Sequence, residues 1–274
     1  MSKQVFIGGG NMATAIIAGL IQQGRVPAEI AVADPSTERL AALAKQYAVR
    51  TQSDNHQALA EAEVLILAVK PQVMQQVCVS IASKVQERQP LIISVAAGLT
   101  AEQIEGWLGG NLAVVRVMPN TPAMVGAGMS GLWANERVNE LQQQQAEQMF
   151  TAVGEVLVVN DQQQLHDITA ISGSGPAYFY LFMEAMMEQA QAMGFDSRQA
   201  KRLVAQTALG AAQMVMEHGK PGELKRNVMS PGGTTERAIK HFEEKGLPNL
   251  VAEAMLVCRE RSIEMASLSA KTGD

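Results

Sequence analysis

Residues 228–235, Val-Met-Ser-Pro-Gly-Gly-Thr-Thr, form a loop whose residue types suit the binding of a small anion. Pro231 removes one backbone donor, and Gly232 and Gly233 lack Cβ atoms, so a ligand can approach the main chain closely. Thr234 and Thr235 suit the N-cap and first turn of the helical pattern that follows. The free N–H groups and positive dipole end of such a helix would hold a carboxylate, although an ordinary loop before a well-capped helix has the same pattern.

A second chemical motif lies at the other end of the chain, where a short apolar run meets a glycine turn. Residues 8–13, Gly-Gly-Gly-Asn-Met-Ala, fit the pattern G-x-G-x-x-A between a predicted strand at 5–7 and a predicted helix at 15–21. In this pattern Gly8 makes the tight turn, Gly10 lets a pyrophosphate approach, and Ala13 permits close packing of helix on strand. The motif predicts dinucleotide binding.

An acidic residue follows the second predicted strand, residues 30–33. Asp34 at this position would accept hydrogen bonds from the adenosine ribose of NAD. Pro35 and Ser36 follow, and Ser36 is a good N-cap for a helix over 37–47. Hydroxyl groups in this segment could also bind the 2′-phosphate that distinguishes NADP from NAD. Alternatively, Asp34 only stabilises the following helix, because a negative charge before a helix start interacts favourably with the helix dipole.

Acid–base catalysts are not marked by any motif. The four histidines, at positions 56, 166, 218 and 241, lie in unrelated contexts without metal-ligand spacing, and no Ser/His/Asp arrangement is readable. Hydride addition to a C=N bond fits this absence, because a protonated imine is already electrophilic and the cofactor carries the difficult step. Thr235 is the candidate hydrogen-bond partner for the imine nitrogen, which would belong to a ring of the substrate. His218 or bulk water could supply the proton.

The first half of the chain alternates strand and helix patterns. The apolar run 64–69 predicts a parallel strand buried on both faces, and Lys70 and Pro71 follow at its carboxyl end, where open α/β sheets bind ligands. Further strands are predicted at 91–95, 114–118, 129–133 and 155–159, with helices at 72–84, after a capping box at 100–103, and at 138–153. This alternation predicts a doubly wound α/β fold.

The second half is predicted to be all helical, with helices over 166–171, 177–193, 198–218 (capped by Ser197), 236–245 and 250–270. We place a domain boundary near residue 160, giving a dinucleotide-binding α/β domain of residues 1–160 and a helical domain of residues 161–274. The helices are rich in Ala, Met and Leu, which predicts a substrate site plus a dimer interface; a self-sufficient bundle is the alternative.

The composition excludes several classes of protein. A net charge of −5 gives no basic footprint, so neither nucleic acid nor an anionic membrane is an expected partner. Cys78 and Cys258 suit buried apolar thiols rather than a disulfide or a metal site. Since neither a signal-peptide core nor a membrane-spanning run is present, we expect a cytoplasmic protein without a bound metal.

Six blocks along the chain resemble the Δ1-pyrroline-5-carboxylate reductase family. The blocks lie at 6–13, 68–71, 94–98, 116–122, 172–178 and 230–235, and read FIGGGNMA, AVKP, SVAAG, RVMPNTP, SGSGPAY and SPGGTT. One block would be a weak signal, whereas all six in this order are highly specific.

The resemblance implies an N-terminal Rossmann domain with a C-terminal all-α dimerisation domain, often assembled as a ring of dimers. It implies an oxidoreductase of proline biosynthesis that uses NADPH or NADH to reduce 1-pyrroline-5-carboxylate to L-proline. The implied cofactor-binding residues are Ile7, Gly8, Gly9, Gly10, Asn11, Met12, Asp34, Pro35, Ser36, Asn55, Ala68, Val69, Lys70, Pro71, Ala96, Ala97, Gly98 and Asn227. The implied substrate-binding residues, supplied across the dimer, are Ser230, Gly232, Gly233, Thr234 and Thr235.

Asp34 departs from the small hydroxyl residue expected beside a 2′-phosphate. Because a carboxylate repels that phosphate, the departure favours NADH, although both cofactors remain open. A β-hydroxyacid dehydrogenase or related imine reductase would keep the fold, but residues 172–178 lack the catalytic Lys expected there. A non-catalytic nucleotide-binding protein would bind the cofactor without turnover.

Overall fold

The computed structural model describes residues 3–271, with side chains through residue 268, as two compact units. The first, here called the α/β unit, comprises residues 3–174 and 258–271, and the second, the helical unit, comprises residues 175–257. The sequence-based boundary at residue 160 stays a prediction, since it concerns domains rather than contact units.

The α/β unit is built on one eight-stranded sheet. Its strands are β1 (Gln4–Ile7), β2 (Ile30–Ala33), β3 (Arg50–Gln52), β4 (Val64–Leu67), β5 (Leu91–Ser94), β6 (Val114–Met118), β7 (Gly128–Ala134) and β8 (Gly154–Val158). The order across the sheet is β3-β2-β1-β4-β5-β6-β7-β8. The strands β1 to β6 are parallel, whereas β7 pairs antiparallel with β6 and β8 pairs parallel with β7. The order 3-2-1-4-5-6 is that of a Rossmann fold, and its direction reverses between β1 and β4.

Helices cover both faces of this sheet. They are α1 (Asn11–Gln22), α2 (Thr37–Tyr47), α3 (Asn55–Ala58), α4 (Pro71–Arg88), α5 (Ala101–Trp107), α6 (Glu140–Thr151) and α7 (Gln164–Ile168), the last continued by a π-helical turn at Thr169–Gly173. Alternate residues of the central strands point into opposite cores: Ile7 and Leu67 lie in one apolar cluster, Phe6 and Ile66 in the other. Two-sided burial explains the continuous apolar runs in the sequence.

A partly buried polar cluster attaches the C-terminal helix segment to the α/β unit. His166 Nδ1 lies 2.8 Å from Ser262 Oγ, both side chains being buried, and Arg259 pairs with Asp167. The amide nitrogen of Gln103 donates to the Ala266 carbonyl at 3.1 Å. Side-chain contacts rather than chain continuity therefore place residues 258–271 in this unit.

A buried arginine lies beside that cluster on β6. Arg116 is 5% exposed and donates to Gln162 Oε1 at 3.1 Å, while Gln162 donates to Glu102 at 2.7 Å. Burial lowers the pKa of Arg116 to about 10, and the Glu102 charge opposes that shift. Arg116 thus remains a cation at neutral pH, reaching the carboxylate through Gln162.

The helical unit contains α8 (Gly175–Ala192), α9 (Ser197–His218), α10 (Pro221–Asn227), α11 (Thr234–Glu244) and the first part of α12 (Leu247–Lys271). Few of its described residues are buried; in α8 and α9 these are Gly175, Ala200 and Val204. Phe182 and Phe242 pack at a ring-centroid distance of 5.9 Å. Large apolar side chains such as Phe179 and Leu181, each 67% exposed, lie on the surface of the single chain.

The predicted architecture is confirmed, with local corrections. The strand at 30–33 and the helix at 37–47 were placed to the residue. The strand β3 and the helix α10 were missed. β3 has only three residues, all polar, and α10 has only seven, which is too few to show a helical period. Asp196, not Ser197, caps α9, since its carboxylate accepts from Gln199 N in a capping box.

The two cysteines differ more than the sequence suggested. Cys78 is a buried apolar thiol, and its burial raises its pKa to about 12. Cys258 is only half-buried, and its thiol donates to Ser174 Oγ at 3.2 Å. Among residues 3–271 the structure shows neither a helix that could cross a membrane nor a metal-binding cluster of His, Cys, Asp and Glu.

Candidate active site

The glycine turn after β1 lies where three strands end. Gly8 N donates to the Ala33 carbonyl at 2.8 Å, and Ala68 N donates to the Ile7 carbonyl at 2.8 Å. Gly8 adopts a φ of +100°, and a Cβ there would lie 2.6 Å from Ala68 O. Only glycine fits between these two strand ends, so Gly8 makes the tight turn that its motif predicts.

The helix start after this turn is open to an anion. Gly10 is the N-cap of the twelve-residue helix α1 and contributes no side-chain cap, and a Cβ at Gly10 would meet nothing within 4 Å. The first-turn N–H groups at residues 11–13 lack an intrahelical acceptor, because α-helical bonding begins with Thr14 N to Gly10 O at 2.9 Å. The open space and free donors fit the pyrophosphate of a dinucleotide.

Asp34, at the end of β2, is turned towards the protein. Its Oδ2 accepts from Gly9 N at 2.8 Å and its Oδ1 from Ser36 N at 2.9 Å. Arg39 Nη1 contacts both oxygens, at 3.1 and 2.9 Å. The carboxylate, 4% exposed, joins the glycine turn, the end of β2 and the first turn of α2.

The charge of Asp34 is stabilised by these contacts. Burial alone would raise its pKa, but the N–H donors of Gly9 and Ser36 together with Arg39 outweigh burial and lower the pKa. Asp34 is therefore ionised at neutral pH and paired with a cation. The electrostatic case for NADH assumed an unpaired carboxylate facing the ribose, and the Arg39 ion pair removes that premise.

The other residues expected to bind cofactor in the α/β unit lie at carboxyl ends of parallel strands or just after them. Asn55 begins α3 after β3; Ala68, Val69, Lys70 and Pro71 follow β4; Ala96, Ala97 and Gly98 follow β5. Gly98 has a φ of +70°, and a Cβ there would lie 3.0 Å from Met265 Cβ. The sheet therefore brings five separate segments to one edge, although each contact with the cofactor stays a prediction.

The loop at residues 230–235 lies in the helical unit and is mostly exposed. Gly232 has a φ of +72°, and Gly233 N donates to Ser230 O at 2.8 Å, which closes a turn. Gly233 is the N-cap of α11, so the expectation of a threonine cap was wrong; Thr234 and Thr235 are the first two helical residues. The first turn of α11 thus carries the Thr235 side chain.

Glu236 already uses one donor of this loop. Its Oε2 accepts from Gly232 N at 2.7 Å, and its Oε1 lies 3.0 Å from Lys240 Nζ. The Lys240 hydrogen bond, followed by the one from Gly232, lowers the pKa of Glu236. A substrate carboxylate at Gly232 would have to displace Glu236, whereas Thr234 and Thr235 lie in the helix turn whose amides lack intrahelical acceptors.

His218 and Asn227 line one cavity of about 360 Å³ in the helical unit, together with Met214, Lys220, Glu223 and Leu224. His218 ends α9, and Asn227 ends α10. The sequence proposed them separately, as a proton donor and as a cofactor contact, and the fold of this unit brings them to the same cavity.

Two charged residues beside the predicted motifs were missed. Arg39 lies five positions after Asp34, and Glu236 is the third residue of α11. An arginine in the first turn after the acidic residue of a Rossmann motif could have been noticed, since Arg is the residue that accommodates a 2′-phosphate in such folds. The spacing by itself does not predict that Arg39 pairs with Asp34.

Two family models match different parts of the chain. Residues 162–265 match the model described as pyrroline-5-carboxylate reductase dimerisation, and residues 3–98 match the one described as NADP oxidoreductase coenzyme F420-dependent. The first covers the whole helical unit and the second covers β1 to β5. The two matches therefore follow the change from alternating strands and helices to helices alone.

Relatives match the chain over nearly its full length. The chain is 46% identical to the pyrroline-5-carboxylate reductase of Pseudomonas aeruginosa over 95% of this chain and 96% of the relative. It is 39% identical to the Escherichia coli enzyme, over 97% and 99% of the two chains.

Solved structures of reductases share the fold over nearly the whole chain. The Coxiella burnetii pyrroline-5-carboxylate reductase superposes with a TM-score of 0.90 at 43% identity, covering 97% of this chain and 98% of that one. The Plasmodium falciparum pyrroline carboxylate reductase, solved with NADP bound, gives a TM-score of 0.87 at 29% identity, again covering 97% and 98%. On the strength of these matches together with its glycine turn and its SPGGTT loop, the chain belongs to the pyrroline-5-carboxylate reductase family.

Proposed function

We propose that the protein reduces 1-pyrroline-5-carboxylate to L-proline with NADPH or NADH, the last step of proline biosynthesis. The observation that carries the proposal is family membership over 95% of the chain, at 46% identity to a reductase of that activity. The open glycine turn and the exposed SPGGTT loop supply the two binding elements that this reaction requires.

The cofactor is proposed to lie along the carboxyl edge of the sheet. The first turn of α1 would hold the pyrophosphate, with Gly10 leaving room for its approach. The residues after β2, β4 and β5 would hold the adenosine and nicotinamide ends, and Asn227 is proposed to reach the nicotinamide side. When bound there, the cofactor supplies the hydride that adds to the C=N carbon.

The substrate is proposed to bind at the start of α11. N–H groups of its first turn would hold the carboxylate, and Ser230, Gly232 and Gly233 would shape the surrounding loop. The Thr235 hydroxyl oxygen would accept a hydrogen bond from the N–H of the protonated imine, which would fix the C=N carbon in position to accept the hydride. The electron pair of the C=N π bond moves to nitrogen, giving the neutral amine of L-proline.

A homodimer is proposed to complete the site. In the helical unit Phe179, Leu181 and Val257 are 67%, 67% and 65% exposed in the single chain, too much apolar surface to leave in water. A second copy would cover this surface and bring its own substrate loop to the first chain's cofactor. A ring of such dimers in the cytoplasm is part of the same proposal.

A paired assay tests the activity. Purified protein should oxidise both NADPH and NADH when given 1-pyrroline-5-carboxylate, with one L-proline formed for each cofactor oxidised. Omitting the pyrroline gives the background, and an α-keto acid without an imine serves as the matched substrate control. Failure of both cofactors to react with the pyrroline would remove the proposal.

A further inference from the structure

The carboxylate of Asp34 has no lone pair left for a cofactor ribose. A carboxylate offers about four acceptor positions, and Asp34 is contacted by Gly9 N, by Ser36 N and, at both oxygens, by Arg39 Nη1. A ribose hydroxyl could replace one of these donors only by displacing Arg39 or breaking the bond to the glycine turn. The residue that normally selects NAD is thus committed to the protein.

Arg39 crosses the glycine turn and uses only its Nη1 group to bind Asp34. A Cβ built on Gly9 would lie 3.4 Å from Arg39 Cδ, which shows that the arginine side chain crosses the turn. Its side chain is 50% exposed, and Nη1 makes both contacts with Asp34. A guanidinium carries five N–H donors in a planar fork, so Nε and Nη2 can bind a second anion on the solvent side.

Ser36 adds a hydroxyl donor beside this arginine. Its Oγ accepts from Arg39 N at 3.3 Å as the N-cap of α2, which leaves its O–H proton available. The positive end of the α2 dipole lies at Ser36, because this residue is the N-cap of the helix. Glu38, exposed in the same turn, is the one opposing charge among residues 34–39 that lacks an ion-pair partner in the structure.

We propose that Arg39 determines cofactor choice by binding the 2′-phosphate of NADPH together with the Ser36 hydroxyl, and that Asp34 is the residue that positions Arg39. The inference rests on the proposed function for its cofactor class. On sequence alone, Asp34 disfavours NADPH because its charge repels the 2′-phosphate. In the proposed site Asp34 favours NADPH, because it positions a cation that attracts this phosphate.

Nucleotide fragments test this site without turnover. Adenosine 2′,5′-bisphosphate and 5′-AMP share the adenosine and differ in the 2′-phosphate, and calorimetry gives a Kd for each. We expect the bisphosphate to bind more tightly to the wild type, and Arg39→Gln to weaken it by about 10-fold or more, as for a lost charge-assisted bond. Binding of 5′-AMP should change by less than about 2-fold.

Arg50→Gln is the matched control. Arg50 lies on β3 beside β2, is 42% exposed and is also paired with a carboxylate, Glu61. It stands at the amino end of its strand, away from the ligand edge, so its removal should leave both fragments unaffected. Arg39→Lys keeps a counterion for buried Asp34 and protects the test against unfolding; it should lose part of the preference for the bisphosphate.

The steady-state counterpart is the ratio of KM for NADPH to KM for NADH, which Arg39→Gln should raise by about 10-fold. Equal losses for the two fragments would mean that Arg39 only stacks on adenine, and unchanged binding would mean that it faces no phosphate; either result overturns the inference. If the wild-type protein binds both fragments but does not reduce the pyrroline, the result counts against the proposed function instead.

Discussion

The glycine turn and the SPGGTT loop both offer helix N–H groups to an anion, but they are built very differently. The glycine turn is enclosed by three strand ends, and its buried residues Gly8 and Gly9 bond to Ala33 and Asp34. The SPGGTT loop is exposed in the single chain, and none of the residues of the helix behind it, α11, is buried. Its conformation is held by short-range bonds such as Gly232 N to Glu236.

The difference indicates which part of the proposed active site a single chain can form without a partner. Long-range strand pairing and two apolar cores fix the sheet edge where we propose that the cofactor binds, so this edge is preorganised before any ligand binds. Local bonds alone leave a loop in the less stable part of a structure, where ligands or partners complete it. We therefore expect cofactor binding to survive changes that abolish substrate turnover.

The largest effect should come from filling the glycine turn. Gly8→Ala places a Cβ 2.6 Å from Ala68 O at a φ of +100°. Strain and overlap together should cost on the order of 3 kcal/mol of folding free energy and remove cofactor binding. Thermal unfolding and NADPH fluorescence titration measure the two losses.

Gly10→Ala is its matched control, because a Cβ there meets nothing within 4 Å and the φ is −71°. The melting temperature should stay within about 2 °C, while the cofactor Kd rises. Equal melting temperatures for the two variants would show that the turn is less constrained than its geometry indicates.

A charge on the apolar surface of α8 should break the proposed dimer. Leu181→Asp replaces a side chain that is 67% exposed in the single chain, and burying its carboxylate between subunits would cost several kcal/mol. Light scattering should find monomers, with activity lost and NADPH binding retained.

Leu141→Asp, on α6 of the α/β unit, is the control at 77% exposure. It should leave mass and activity unchanged. A dimeric, active Leu181→Asp protein would exclude α8 from the interface.

Thr235→Ala tests the substrate loop at intermediate magnitude. Removing a hydroxyl that contacts a charged imine should lower kcat/KM for the pyrroline by roughly 10- to 100-fold without changing the cofactor Kd. Thr151→Ala removes an exposed hydroxyl bonded to the Glu147 carbonyl in α6 and should have no effect on kcat/KM. Similar small losses for both variants would place the substrate elsewhere.

The smallest predicted effect concerns His166, which is far from both loops in sequence. Burial, followed by the Arg116 and Arg259 charges, lowers its pKa below 6.5, and Asp167 opposes the shift. The unfolded chain therefore binds the proton more readily, so this stability is present above pH 6.5 and is lost as the pH falls. His166→Asn should flatten the fall in melting temperature between pH 7 and 5.5 by about 2 °C. A slope identical to that of the wild type would show that His166 does not titrate in this range.

Much of the fold follows from local sequence patterns. Apolar runs bounded by turns placed seven of the eight strands, and Ser36 as a cap predicted α2. β3 escaped because three polar, half-exposed residues carry no periodicity. The site motifs were likewise readable, since glycine spacing reports a backbone requirement that is local.

Specific side-chain contacts could not be predicted. Asp34 pairs with Arg39 only five positions away, but its carboxylate also accepts from Gly9 N, 25 positions away. His166 contacts Ser262 across 96 positions. The sequence predicted an acid directly after β2, but it did not predict the Arg39 contact that pairs its charge. Tertiary contacts thus decide the charge that a ligand meets.

One measurement tests directly whether a partner subunit completes the site. Gly10→Glu should abolish cofactor binding without disturbing the turn, since its Cβ points into open space, and Thr235→Ala should impair the substrate loop. Gly10→Glu alone should be inactive, and Thr235→Ala alone should keep roughly 1–10% of wild-type activity. Co-expressed in equal amounts, they should recover about a quarter of wild-type activity, because random pairing in a two-fold dimer restores one intact site in each mixed dimer. Activity no higher than that of the separate variants would contradict the account and place both halves of the site within one chain.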